Sequence, residues 1–260
     1  KIERILVWSL VAKIYTLVWC YSLSAETIPL EILFGNPQKC ALELSPDGTR
    51  LTYLGADKKN ILNVYLENGK KVTNATSDIA TYFWQRDNQH ILYFQDQEGN
   101  ENYHLFQTNI RTGKTIDLTP YKDVKAELLA YGRGDEMLIL MNKENPSCYD
   151  VYRLNLKTHE LVLDTKNPGT IESWIADHNL VVRAAKAFGE ECQMVILIRD
   201  NLHDPWRLFI RFFPGETSCE FVNFSPDNQS MFLLANKGSD TERLLKVNLH
   251  TSTTHVVAED

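Results

Sequence analysis

With 260 residues, 43% hydrophobic and 23% charged, the chain has an ordinary globular composition and is long enough for one large all-β domain or two small ones. Its net charge of −7 leaves no basic surplus to neutralise phosphates, which excludes a general nucleic-acid binder. No His-x-His, His-Glu-x-x-His or Cys-x-x-Cys spacing occurs, so no metal and no other cofactor is expected.

Residues 1–25 differ from the rest. Lys1 and Arg4 precede apolar runs at 5–12 and 14–23, and Ser22-Leu23-Ser24 places small residues two apart, as at a signal-peptidase site. The segment reads as a secretory signal, which makes the protein exported, periplasmic or secreted. The alternative is an uncleaved anchor, since about 20 apolar residues can span a bilayer. Lys13 and Glu3 fit neither pattern well. Cys20 lies in this leader, behind a bulky Trp19 that argues against lipoprotein processing. Cys40, Cys148, Cys192 and Cys219 remain, as small buried strand residues or as disulfide partners whose pairing the spacing does not reveal.

From residue 26 onward the chain repeats. A lead-in at 27–36 ends at a Gly-Asn-Pro turn. The first repeat predicts strands at 41–44, 50–55, 61–67 and 70–73, with Ser45-Pro46-Asp47-Gly48 and Asn68-Gly69 as hairpin turns. The second predicts strands at 81–84, 90–95, 103–109 and 114–118, and the third at 127–130, 136–141, 149–156 and 160–163. A fourth repeat, 171–213, is less regular and has Asp177-His178 at its turn. The fifth, 219–257, returns to Ser225-Pro226-Asp227. Apolar and polar residues alternate in these runs, and no helical period is sustained.

A second mark keeps step with the first. Asn109-Ile110-Arg111-Thr112, Asn155-Leu156-Lys157-Thr158 and Asn248-Leu249-His250-Thr251 each precede a repeat's last strand. Four-stranded units of roughly 40–50 residues are the signature of β-propeller blades. The expected fold is thus an all-β propeller of about five blades over 26–260, with a long antiparallel sandwich as the alternative. Because propellers close into rings of four to eight blades, a section of a larger ring is expected.

Ile28-Pro29-Leu30-Glu31-Ile32-Leu33-Phe34-Gly35-Asn36-Pro37 followed by Leu44-Ser45-Pro46-Asp47-Gly48 resembles the start of the prolyl oligopeptidase family of serine peptidases, in its acylaminoacyl-peptidase and dipeptidyl-aminopeptidase branch. The likeness continues through Tyr82-Phe83-Trp84, His90-Ile91-Leu92-Tyr93 and the Gln95–Asn102 stretch with Gly99-Asn100-Glu101-Asn102. The resemblance implies a seven- or eight-bladed cap that admits short peptides to a C-terminal α/β-hydrolase domain bearing Ser, Asp and His. This chain has no Gly-x-Ser-x-Gly elbow, and Gly238-Ser239 reads as a hairpin tip. The expectation is a cap region that is inactive alone, its partners being the missing hydrolase domain and short peptides. The rival is a stand-alone TolB-like propeller that binds a protein partner, or a degenerate peptidase fragment.

No catalytic, cofactor-binding or metal-binding residue is singled out. Relatives in the dipeptidyl-peptidase branch hold the substrate amine with paired glutamates. Glu190-Glu191 is the adjacent acidic pair in the later repeats, but its flanks differ and it reads as a solvated hairpin tip. The 96–102 loop is rich in oxygen ligands yet lacks the EF-hand pattern. Trp84, Trp174 and Trp206 fall inside predicted strands, which favours packing between blades over carbohydrate stacking.

Overall fold

The computed structural model describes residues 28–189 and 193–259, so the leader with Cys20, and Glu190, Glu191 and Cys192, lie outside the described residues. The chain forms two units, Lys1–Pro37 and Gln38–Asp260. In the first, the lead-in contains one short helix, α1 (Leu30–Phe34). The Pro29 carbonyl starts it by accepting the Ile32 and Leu33 N–H groups at 3.0 and 3.3 Å. Among the described residues no helix is long and apolar enough to cross a membrane.

The second unit is a fan of antiparallel sheets, each a simple meander. Blade one holds β1 (Cys40–Leu44), β2 (Leu51–Ala56) and β3 (Leu62–Leu66). Blade two holds β4 (Ile79–Trp84), β5 (His90–Gln95), β6 (His104–Asn109) and β7 (Thr115–Asp117). Blade three holds β8 (Ala126–Tyr131), β9 (Glu136–Met141), β10 (Asp150–Asn155) and β11 (Leu161–Thr165). Blade four holds β12 (Ile171–Ala176), β13 (Val182–Phe188), β14 (Met194–Ile198) and β15 (Arg207–Arg211). Blade five holds β16 (Cys219–Phe224), β17 (Ser230–Ala235), β18 (Arg243–Asn248) and β19 (Thr254–Glu259). First strands of neighbouring blades meet, β1 with β4, β8 with β12 and β12 with β16. This is a β-propeller with its first strands innermost.

The core is divided among the four blade boundaries, one apolar cluster to each. Because strand side chains alternate between faces, a middle strand feeds two boundaries at once. On β5, Ile91 and Tyr93 join the cluster with blade one, whereas Leu92 and Phe94 join that with blade three. On β9, Leu138 packs toward blade four while Met137 and Ile139 pack toward blade two. These strands are therefore continuous apolar runs, not the alternating ones expected for a half-exposed sheet.

Both sequence marks are hydrogen-bonded turns. The Ser45 hydroxyl donates to Asp47 Oδ1 at 2.6 Å and accepts the Arg50 N–H at 3.0 Å; Ser225, Asp227 and Ser230 repeat this at 2.5 and 2.9 Å. In blade four, Asp177 Oδ1 accepts the Asn179 and Val181 N–H groups at 2.9 and 3.0 Å, so its turn is regular despite its sequence. In the second mark, each Asn side chain accepts two N–H groups: Arg111 and Thr112, Lys157 and Thr158, His250 and Thr251. The apolar residue then donates its N–H to the blade's other turn, Ile110 to Gln89, Leu156 to Asp135 and Leu249 to Gln229. That bond ties both hairpins of the blade together.

Blades are also bolted to their neighbours. The carbonyls of Asn88, Leu180 and Asn228, all at positive φ, accept guanidinium N–H groups of Arg50, Arg153 and Arg183 from the preceding blade at 3.0, 2.7 and 3.0 Å. Trp84 Nε1 donates to Thr52 Oγ1 at 2.9 Å, and Trp174 Nε1 donates to the Tyr149 carbonyl at 3.0 Å. Trp206 lies in the loop before β15, not in a strand, tilted at 44° against Trp174 and under the Arg199 guanidinium.

Blade one departs from expectation. Residues 70–73 form only an isolated bridge, Lys71 to Tyr65. The outward N–H groups of β3 go instead to Asp78 Oδ1 (from Leu62, 2.7 Å), Thr73 Oγ1 (from Val64, 2.9 Å) and the Lys70 carbonyl (from Leu66, 2.9 Å). A fourth strand is thus reduced to this short backbone pairing, in which the Val72 N–H also donates to the Val64 carbonyl at 2.8 Å, and side chains cap the rest of β3.

Candidate functional site: the inner wall of the propeller

A propeller's first strands have an edge that no strand of their own blade covers, so their exposed side chains form the wall of the axial channel. Leu42 and Leu44 on β1, Leu128 on β8 and Val222 on β16 are all exposed on first strands. Large aliphatic side chains left in water on three of the five first strands offer separate apolar contact points.

Acidic residues are set among them. Glu127, Glu172 and Glu220 hold the second position of three successive first strands, β8, β12 and β16. Lys125 pairs with Glu127 at 2.9 Å, and this hydrogen bond raises the lysine's pKa. Lys186 pairs with Glu172 at 3.3 Å and also donates to the Cys219 carbonyl at 3.1 Å, linking blade four to blade five. Glu220 is exposed and forms no ion pair among the described residues. Burial, followed by the charge of Glu127, raises the Tyr149 phenol. The wall can thus make apolar contacts and attract a cationic group.

The other sequence features have structural partners. In the 96–102 loop, Asp96 Oδ2 accepts the Glu101 N–H at 3.1 Å and Asn100 Oδ1 accepts the Asn102 N–H at 3.0 Å, so these oxygens serve the loop's own backbone. No group of three or more His, Cys, Asp or Glu among the described residues is placed to hold a metal ion. Gly238-Ser239 sits at the hairpin between β17 and β18, where the Ser239 N–H bonds the Asn236 carbonyl at 3.1 Å. Cys40, Cys148 and Cys219 are free thiols. The row of glutamates escaped sequence reading. Its signal, Ala126-Glu127, Ile171-Glu172 and Cys219-Glu220, emerges only when the first strands are aligned.

The geometry defines a β-propeller with an apolar and acidic inner wall. No family model matches the chain. Dipeptidyl aminopeptidase BIII of Pseudoxanthomonas mexicana is 26% identical over 245 residues, covering 90% of this chain and 35% of that protein. Dipeptidyl peptidase family member 6 of Caenorhabditis elegans is 28% identical over 243 residues, covering 85% and 33%. The chain therefore spans about a third of the length of the curated relatives it matches. A solved prolyl endopeptidase superposes on 86% of this chain and 35% of its own, with a TM-score of 0.61 at 11% identity, a likeness of fold alone. The resemblance to the propeller portion of prolyl-oligopeptidase-family peptidases holds in both sequence and fold.

Proposed function

We propose that this propeller is the substrate-gating region of a prolyl-oligopeptidase-family serine peptidase, sorting short peptides by size before a hydrolase domain cleaves them. The reading rests on one observation: the similarity to two dipeptidyl peptidases covers 90% and 85% of the chain. The inner wall supports it, because exposed Leu42, Leu44, Leu128 and Val222 can grip peptide side chains while Glu220, which has no ion pair among the described residues, can attract a free amine. In this reading the chain supplies admission and the hydrolase domain supplies the nucleophile, base and oxyanion donors. Export to an oxidising compartment, through the segment at 1–25, belongs to the same proposal.

The test is a length series on the protein purified from its native source, with its intact mass measured first. Free-amine peptides from tripeptides upward, and a denatured protein, are offered as substrates. Cleavage should fall steeply with length. Equal cleavage of short peptides and denatured protein, or a protein of this chain's mass with no peptidase activity, would overturn the gating role.

A further inference from the structure

Between blades two and three lies a crevice of about 500 Å³, within the range of small-molecule sites. Its floor contains two glutamines, Gln85 and Gln107, each only 4% exposed. Gln107 is fully engaged: its Nε2 donates to Gln85 Oε1 at 2.7 Å and to the Leu156 carbonyl at 3.1 Å, and its Oε1 accepts from His159 Nε2 at 3.0 Å. Those bonds fix the orientation of both amides. Gln85 Oε1 is thereby satisfied, whereas its Nε2 has no partner among the described residues and opens to the crevice. That amide donor is left available to a ligand in the crevice.

The charges at the mouth are unmatched too. Lys114 and Lys157 line the crevice and form no ion pair among the described residues, and neither does the Asp135 carboxylate. His90 is spoken for, with Nδ1 on Asp87 at 2.6 Å and Nε2 facing Asn109 Nδ2 at 3.1 Å. The available groups are therefore three donors (the Gln85 amide and two ammoniums) and one carboxylate, beside the apolar side chains of Ile116 and Leu156.

We infer that this crevice binds a small zwitterion, an amino acid or dipeptide. Its carboxylate would face Gln85 Nε2 and the two lysines, and its ammonium would face Asp135. Carboxylates held by several donors, at least one of them charged, form the stronger class of hydrogen bond. The site lies between blades, built from residues other than those of the inner wall, and does not depend on the gating role.

Calorimetric titration of alanyl-leucine into the protein tests it. N-acetyl-alanyl-leucine and alanyl-leucine amide serve as probes lacking one charge each. Saturable binding of alanyl-leucine is expected, weakened about tenfold by loss of the carboxylate, about one charge-assisted bond's worth. Lys114→Ala and Lys157→Ala, both at exposed positions, should each weaken it severalfold while leaving the melting midpoint unchanged. Gln85→Glu, which replaces the free donor with an acceptor, should abolish it. Absence of saturable binding overturns the site, as does binding that is indifferent to both lysine variants and to Gln85→Glu.

Discussion

Asn228 Oδ1 accepts the His178 N–H at 3.1 Å across the boundary between blades four and five, while Asn228 itself sits at φ 56°. Asn88 does the same for Asp47 at 2.9 Å between blades one and two, at φ 58°. One residue type meets two demands there, a left-handed backbone and an acceptor aimed at the next turn. Asn228→Ala should destabilise the protein by about 2 kcal/mol, combining a lost hydrogen bond with left-handed strain. Asn228→Gly removes the bond but not the backbone freedom, so it should cost about 1 kcal/mol. Urea midpoints give the order, and equal losses for the two variants would refute this division.

Asp47 titrates unusually low. The Ser45 hydroxyl, the Thr49 N–H and the Thr49 hydroxyl all donate to it, holding its pKa at about 2 against an ordinary 3.8. Ser225 lowers Asp227 in the same way. A depressed carboxylate pKa means folding releases protons, so the stability it brings is complete above pH 4 and lost as pH falls through about 2. Ser45→Ala should raise the Asp47 pKa toward its ordinary value and shift acid unfolding to higher pH. Carboxyl-carbon NMR titration measures the first effect directly, and an unmoved Asp47 would disprove the cause.

Burial pushes the Cys219 thiol up to about 12. Because the thiolate is the reactive form, iodoacetamide near neutral pH should alkylate the half-buried Cys40 and Cys148 well before Cys219. Peptide mapping with and without urea separates them. Labelling of Cys219 in the folded protein at the rate of Cys148 would contradict its burial.

Arg199 is a buried cation that forms no ion pair among the described residues. It donates to the Val182 carbonyl at 2.7 Å, the Leu202 carbonyl at 2.6 Å and Thr165 Oγ1 of blade three at 2.7 Å, and its guanidinium lies 4.5 Å from the Trp206 ring centre. Lysine cannot reproduce three divergent donors and a planar stack. Arg199→Lys should therefore cost about 2–3 kcal/mol, with Trp206 fluorescence shifting to the red as water reaches the indole. A variant as stable as the parent would show that the charge alone suffices.

Legibility in the sequence followed the range of the interaction. Ser-Pro-Asp turns and Asn-apolar-x-Thr hairpins were readable because their bonds close within five residues, as from Ser45 to Arg50 and from Asn155 to Thr158. Counting those turns gave the blades. The fourth strand of blade one was misread because Asn68-Gly69 is a genuine local turn, whereas the outcome depended on Asp78 reaching back 16 residues to Leu62. Trp206 looked like a strand residue, yet its place is set by Trp174 and Arg199. The crevice was invisible for the same reason, since Gln107 meets Gln85 and His159 across 22 and 52 positions.

The side-chain caps along β3 bear on how this molecule avoids its own kind. An open strand edge invites a foreign strand, the usual first step toward swapped or fibrous assemblies. On β3 an intruder would first have to evict Thr73 and Asp78 and break the backbone bonds to Lys70 and Val72. The outer margin of blade one is thus proofed against recruitment.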